Sequence, residues 1–210
     1  MKISIIGIGN IGGTLGRHWI RAGHEVFFGV RRPEAAQTLV LELGGLAGAG
    51  TPADAVRSAP LLVFAAPYGA WPEFARLHAH ALKGKTVVDT ANPYAARDGA
   101  VVDAIARAGG GSGTYTSHLL PGAHVVKAFN TVYWVDLRDQ AHRPGEKLAM
   151  PLAGDQDAAN DVVAQLARDA GFDPVWVGGL ARSADLHPDS PIYAKSMTAA
   201  QVRAALGLAI

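Results

Sequence analysis

Lys2-Ile3-Ser4-Ile5-Ile6-Gly7-Ile8-Gly9-Asn10-Ile11-Gly12-Gly13, at the start of the chain, decides the reading of the fold. The apolar run up to Gly7 reads as a short buried strand over 2–7, and the residues after Asn10 as an amphipathic helix over 11–22. Between them Gly7, Gly9 and Gly12 have the spacing GxGxxG. Glycine makes up 25 of the 210 residues, so the spacing alone is a weak signal. Its place between a strand and a helix makes it a dinucleotide-binding turn. Gly7 permits the tight turn, Gly9 lets a pyrophosphate approach the backbone, and Gly12 lets helix and strand pack closely. The N–H groups of Asn10, Ile11 and Gly12 at the helix N-terminus then face the anion.

Outward from this turn, short β-branched runs alternate with Ala-rich stretches, the pattern of βαβ units on a mostly parallel sheet. Strands are expected at 24–29, 61–66, 86–90, 123–129, 148–153 and 174–177. Helices are expected at about 33–43, with Pro33 in its first turn, at 70–82, and at 157–170 with Asp155 or Asp157 as its cap. The glycine-rich stretch 109–113 reads as a surface hinge or turn. After Gly178-Gly179 the pattern loosens around Pro188 and Pro191, leaving a short helix at 198–208. The fold class is therefore α/β: a Rossmann-type, doubly wound, mostly parallel sheet over 1–180, with a small irregular C-terminal extension over 181–210.

Nearly half of the residues (49%) are hydrophobic, enough for a substantial core. Lysine and arginine (19) balance aspartate and glutamate (18), with no basic stripe, which argues against a nucleic-acid partner. The longest apolar runs, such as 61–67, fall far short of the roughly 20 residues that span a bilayer. The first apolar stretch also breaks into glycines too early for a secretory leader. The absence of cysteine excludes disulfides, thiol chemistry, iron–sulfur clusters and cysteine-ligated zinc, and fits a cytoplasmic address. Electrons in such a protein must travel on a bound organic cofactor. No metal site is expected: His78 and His80 point about 200° apart on a helix, and His118, His124, His142 and His187 have no ligand spacing.

The choice of dinucleotide falls at the end of the second strand. Sites that take NAD carry a carboxylate there, roughly 20 residues beyond the glycines, to bind the ribose 2′-hydroxyl. This chain has Gly29-Val30-Arg31-Arg32-Pro33. A carboxylate would repel a 2′-phosphate, whereas a guanidinium holds one with paired, charge-assisted hydrogen bonds. Arg31 and Arg32 therefore point to NADP(H), and Glu34 reads as a helix-capping charge.

The segments Gly9-Asn10-Ile11-Gly12, Gly23-His24-Glu25-Val26, Gly29-Val30-Arg31-Arg32, Asp89-Thr90-Ala91-Asn92-Pro93 and Val125-Val126-Lys127-Ala128-Phe129-Asn130-Thr131 together resemble the NADP-dependent coenzyme F420 oxidoreductase family. The last block is also similar to the cytoplasmic NADPH domain of the STEAP metalloreductases. The resemblance runs over about 1–180. It implies that Gly9, Asn10, Ile11 and Gly12 hold the pyrophosphate and that Arg31 and Arg32 hold the 2′-phosphate. Ala65, Ala66 and Pro67 would line the ribose and nicotinamide side, with Asn92 and Pro93 at the same edge. Ala128, Asn130 and Thr131 would lie beside the nicotinamide and the electron acceptor. Two positions depart from the family pattern: Val30 stands where a serine is usual, and Asn130 where a histidine is usual.

Hydride transfer between a nicotinamide and a flavin-like ring needs no protein nucleophile, only two rings held together with water excluded. The expected activity is an NADPH-dependent reductase whose acceptor is a flavin or a deazaflavin such as F420, with Asn130 and Thr131 nearest the chemistry. Lys127, inside an apolar strand, reads as salt-bridged or snorkelling rather than as an acid. Tyr68 and Trp71 read as helix anchors, and Trp134 as a candidate for the acceptor site. Two other readings remain: an imine or pyrroline-5-carboxylate-type reductase, against which counts the long helical C-terminal dimerisation domain that such enzymes need and these 210 residues are too few to supply, and a non-catalytic NADP(H)-binding sensor. A homodimer is the common assembly for such domains.

Overall fold

In the computed structural model, which describes residues 1–209, β1 (Lys2–Ile6) buries Ile3, Ser4, Ile5 and Ile6. The one polar group among them is satisfied, because Ser4 Oγ donates to Ala55 O at 2.6 Å. The chain continues through α1 (Asn10–Arg21), β2 (Glu25–Gly29), a 3-10 turn at Pro33–Ala36, α2 (Gln37–Leu43), β3 (Ala47–Gly50) and α3 (Pro52–Ser58). Then follow β4 (Leu61–Phe64), α4 (Trp71–His78), β5 (Thr86–Asp89), α5 (Ala95–Asp98), α6 (Ala100–Ala108), α7 (Gly111–Leu119) and β6 (His124–Ala128). The last elements are α8 (Trp134–Asp139), β7 (Ala149–Gly154), α9 (Asp157–Asp169), β8 (Asp173–Gly178), a 3-10 segment at Leu180–Leu186, and α10 (Ala199–Ala205).

The strands form one sheet in the order β3-β2-β1-β4-β5-β6-β7-β8. All neighbours are parallel except β6 and β7, so the expected doubly wound, mostly parallel Rossmann-type sheet is what forms. The chain runs outward from β1 to β3, then returns to β4 and winds the other way. The reversal between β1 and β4 is where open α/β sheets bind ligands. Registers align the strand ends there: Gly29 and Phe64 both pair with Ile6, Asp89 pairs with Phe64, and Lys127 with Asp89. The residues that follow each of these strands therefore emerge along a single edge.

Alternation along the strands supplies two cores. Ile3, Ile5, Val63 and Val126 pack against Leu15 and Trp19 of α1 and Val163 and Leu166 of α9. Ile6, Phe64 and Val125 pack on the other face against Val56 of α3 and Trp71 and Phe74 of α4. Trp19 also ties α1 to α9 by donating to Leu166 O at 2.9 Å. No helix of the described residues is long and apolar enough to cross a membrane.

Several elements differ from the expectation. β3 has the sequence Ala-Gly-Ala-Gly, with no β-branched residue to announce it. It pairs in parallel with β2, and its glycines leave room for the Phe27 ring, which an added Cβ would meet at 3.1 Å from Gly48 and 2.9 Å from Gly50. Of the stretch 109–113 only the first residues turn the chain; α7 starts at Gly111. A Cβ at Gly113 would meet Leu180 and Ser183 at 2.9 Å, so this glycine serves a close helix approach rather than a hinge. Gln156, not an aspartate, precedes α9, and Asp155 instead accepts from Leu180 N at 2.8 Å. The segment after β8 is packed rather than loose: Leu186, Ile192 and Val202 bury themselves against Ala149, Val175 and Val177.

Candidate functional site

The glycine turn has the geometry its sequence requires. Gly7 has φ +100°, and a Cβ there would lie 2.8 Å from Ala65 O. A Cβ at Gly12 would lie 2.2 Å from Gly7 O, so the helix can approach the strand only without a side chain. Gly9 is different: its backbone angles are ordinary and a Cβ would meet nothing within 4 Å. It faces open space beside the N-terminus of α1, whose first turn has no acidic residue and whose cap has no side-chain acceptor. An anion is thus unopposed there, and the turn fits a pyrophosphate.

At the end of β2, Val30 N donates to Gly50 O at 3.0 Å and the Val30 side chain is buried, so the chain turns outward at Arg31. Arg31 and Arg32 are exposed and make no ion pair with any described residue. Their guanidiniums are available to a phosphate, and no carboxylate follows β2 before Glu34, inside the 3-10 turn.

Beside the turn lies a cleft of about 360 Å³. It brings together Asn10, Ile11, Ala65, Ala66, Pro67, Asn92 and Asn130, seven of the residues singled out in the sequence. Gly9 and Asn10 open onto an adjoining depression, and Trp134 borders both. Others fall elsewhere. Pro93 faces a separate hollow with His187 and Pro188. Ala128 is fully buried under the strand edge, and the Thr131 hydroxyl is sealed without a hydrogen-bond partner. Thr131 contributes through its backbone, accepting from Ala194 N at 2.7 Å.

The cleft also holds residues that sequence reasoning passed over. Tyr94, Arg97, Phe129, Tyr133 and Tyr193 line it. Phe129 has φ +59°, an uncommon conformation for a bulky residue, and its ring meets Trp19 edge-on at 5.6 Å. This left-handed step turns the chain from β6 toward Asn130. The Asn130 amide donates to Asn92 Oδ1 at 2.9 Å and to Leu186 O at 2.7 Å, while Asn92 Nδ2 donates back to Asn130 O at 2.7 Å. The two asparagines thereby fasten the ends of β5 and β6 to the C-terminal segment, which delivers Tyr193 to the cleft. The only sequence signal for Tyr94 was its position after Asn92-Pro93; Tyr193 had none.

Arg97 lies with its guanidinium carbon 5.0 Å from the Tyr94 ring centroid and donates to Asn92 O at 2.7 Å. Burial alone would raise the Asp98 pKa. Hydrogen bonds from Arg97 and from the N–H groups of Tyr94 and Gly69 outweigh it and hold the carboxyl below the usual range.

Beneath the cleft, Lys127 Nζ and Asp89 Oδ2 are 3.0 Å apart and both side chains are fully buried. Asp89 also accepts from Trp71 Nε1 at 3.1 Å, Ala91 N at 3.0 Å and Thr116 Oγ1 at 3.0 Å. Lys127 is thus the salt-bridged lysine expected. Burial pushes its pKa down while Asp89 pulls it back. Tyr68 and Trp71 are buried anchors: Tyr68 donates to Ser112 O at 2.7 Å, and Trp71 stacks on Phe64 at 3.8 Å.

Residues 2–93 match the family described as NADP oxidoreductase, coenzyme F420-dependent. Over 185 residues the chain is 28% identical to Metalloreductase STEAP3 of Rattus norvegicus, covering 88% of this chain and 35% of that protein. The chain thus spans about a third of the length of this relative. Among solved structures it is similar to a hypothetical protein from Sinorhizobium meliloti, with TM-score 0.78, 28% identity, and coverage of 94% of this chain and 95% of the other. It is also similar to a protein from Arthrobacter sp. FB24, described provisionally as an F420-dependent NADP-reductase, with TM-score 0.74, 26% identity and 87% of each chain covered. The motifs at the glycine turn, at the end of β2 and at the end of β5 all lie inside the matched segment, and through residues 2–93 the chain matches the coenzyme F420-dependent NADP oxidoreductase family.

Proposed function

We propose that the protein is an NADP(H)-dependent oxidoreductase that passes a hydride between the dinucleotide and a flavin or deazaflavin acceptor such as F420. One observation carries this reading. A single cleft is lined both by Asn10, Ile11 and Ala65 to Pro67 and by the planar side chains of Tyr94, Tyr133, Trp134 and Tyr193. The family match supports the NADP(H) part.

In this reading Gly7, Gly9, Asn10, Ile11 and Gly12 hold the pyrophosphate, and Arg31 and Arg32 the 2′-phosphate. Ala65, Ala66, Pro67 and Asn92 border the nicotinamide half, with Pro93 and Ala128 supporting that edge from behind. When bound, NADPH supplies a hydride from its nicotinamide ring. The chain's own part is to orient and to exclude water. The aromatic wall offers flat faces against which a ring system can stack. Asn130, locked by Asn92 and Leu186, sets the floor of the acceptor side, and the Thr131 carbonyl anchors the segment carrying Tyr193. Residues 1–180 act as the dinucleotide-binding unit, and 181–210 complete the acceptor wall. A cytoplasmic homodimer is the proposed setting, on the absence of cysteine and the prevalence of two-fold pairs.

The test is NADPH oxidation by the purified protein with F420, FMN, FAD, ferric chelates and a cyclic imine. Turnover with F420 or a flavin is expected. Turnover with the imine alone would reassign the acceptor. Tight NADPH binding without turnover on any of them would replace the reductase by a sensor.

A further inference from the structure

Two phenols meet in the cleft. The Tyr94 and Tyr193 hydroxyls share a hydrogen bond across 99 residues of sequence. The remaining polar neighbour of this pair is the Asn92 amide nitrogen, 3.5 Å from the Tyr193 oxygen, and that nitrogen is a donor. Two phenolic protons thus have one acceptor between them. Whichever tyrosine donates to the other, one O–H is left without a partner among the described residues, in a cleft that opens beside the glycine turn.

We propose that the Tyr94–Tyr193 pair is the proton donor of the site, serving an acceptor that takes a hydride at carbon and a proton at a conjugated ring nitrogen or oxygen. This rests on the oxidoreductase reading and narrows its acceptor to rings that take the hydride at carbon, as a deazaflavin does, as opposed to flavins, which take it at nitrogen, and to metal chelates. The atoms balance. The acceptor gains a C–H bond from the reduced dinucleotide's hydride and an N–H or O–H bond from the phenol. The phenolate left behind recovers its proton from water.

The surroundings suit both halves of that transfer. A phenol is protonated at neutral pH, and burial, and then the hydrogen bond to Tyr94, hold the Tyr193 proton in place until an acceptor takes it. Once the proton leaves, the anion is met by the O–H of the other tyrosine, by the Asn92 amide and by the Arg97 guanidinium over the Tyr94 ring. Arg97 keeps its pairing with Asp98 and acts on the anion through its field, and the other cation nearby is engaged elsewhere. Asp98 is bound to Arg97, and the Lys195 ammonium donates to Pro191 O at 2.6 Å.

The pairing predicts an unusual mutational pattern. In Tyr94→Phe or Tyr193→Phe the surviving phenol has its whole proton available, so single-turnover reduction of the acceptor falls only a few-fold. In the double variant no donor remains and the rate falls by about a hundredfold or more, the ordinary worth of a positioned acid. NADPH affinity measured by calorimetry stays within about twofold throughout. If the two tyrosines merely brace the C-terminal segment, each single variant breaks the brace and is as slow as the double one. That pattern overturns the proposal, as does a double variant within about threefold of the parent. A second measurement needs no turnover: titration of phenolate absorbance with and without saturating NADP+. One phenol should ionise at lower pH beside the cationic nicotinamide, an effect absent in the double variant. A titration unmoved by NADP+ would sink the phenol pair. Absence of turnover on every acceptor would instead sink the oxidoreductase reading.

Discussion

Gly9 and Gly12 stand three residues apart in one turn, yet the structure gives them opposite jobs, and alanine at each position separates them. In Gly12→Ala the new methyl carbon lies 2.2 Å from Gly7 O and 3.1 Å from Ala65 Cβ. The closer of these is backbone, so no rotamer change relieves the contact. Overpacking of this kind costs about 1–3 kcal/mol, and more when backbone must move; alanine's better helix propensity returns about 1 kcal/mol. A net loss of about 2 kcal/mol lowers the melting temperature by about 4–8 °C in a chain of this size. In Gly9→Ala the methyl meets nothing within 4 Å and φ is −69°, which any residue adopts. Its melting temperature stays at the parent value. The methyl instead fills the space through which a pyrophosphate reaches the helix N-terminus. Losing one hydrogen bond to a charged group, at about 1.5–3 kcal/mol, weakens NADPH binding about tenfold to a hundredfold. Thermal melts and calorimetric titration of the two purified variants are sufficient. A Gly9→Ala protein that melts normally and binds NADPH as tightly as the parent would remove the pyrophosphate from this turn. A Gly12→Ala protein that melts normally would refute the packing argument.

Arg31→Ala and Arg32→Ala are each expected to weaken NADP(H) binding by about tenfold or more while leaving NAD(H) nearly unchanged; equal losses in calorimetry would move the 2′-phosphate elsewhere. Lys127→Met leaves the Asp89 carboxylate buried without its cation, a loss of about 3–5 kcal/mol. It should appear as a melting temperature lower by on the order of 10 °C, and a shift of under about 2 °C would show the pair to be dispensable. His18 and His187 are both held below the ordinary histidine pKa, chiefly by burial, with Lys127 adding to the effect at His187. Between the folded and unfolded pKa values the unfolded chain binds more protons, so stability rises with pH. The melting temperature should therefore fall as pH drops below about 6.5. His187 Nε2 accepts from Ser112 N at 3.0 Å, which a protonated ring cannot do, so His187→Gln should flatten that fall. A melting temperature constant between about pH 7 and 5 would contradict both assignments.

Much of the frame was legible because its signals are local. The buried strands announce themselves by apolar runs between turn residues. The GxGxxG spacing states its own sterics, and the missing carboxylate after β2 is visible by counting. The strand registers then carry those separate motifs to one edge, which is why Asn10, Ala65, Asn92 and Asn130 meet. Where the same residue type serves two purposes, local reading fails. Glycines in β3 and α7 look like linkers, and only the Phe27 ring and the Ser183 side chain show them to be sites of close approach. The capping box of α3, in which Thr51 and Asp54 bond reciprocally, was readable as Thr-Pro-Ala-Asp and was passed over.

By itself, then, the amino-acid sequence determined the class of sheet, the place of the glycine turn and the positive charge at the end of β2. Each depends on residues within a few positions of one another, acting through backbone sterics and side-chain period. The tertiary structure alone decided what the acceptor side is made of. Tyr193 reaches Tyr94 only because Asn130 and Thr131 fasten the C-terminal segment across the end of the sheet. Ala128 and Thr131, adjacent in sequence to the cleft-lining Phe129 and Asn130, are buried, Ala128 as the last residue of β6 and Thr131 beyond the left-handed step at Phe129. Burial and facing are set by the packing of elements far apart in the chain, and no periodicity within a single element records them.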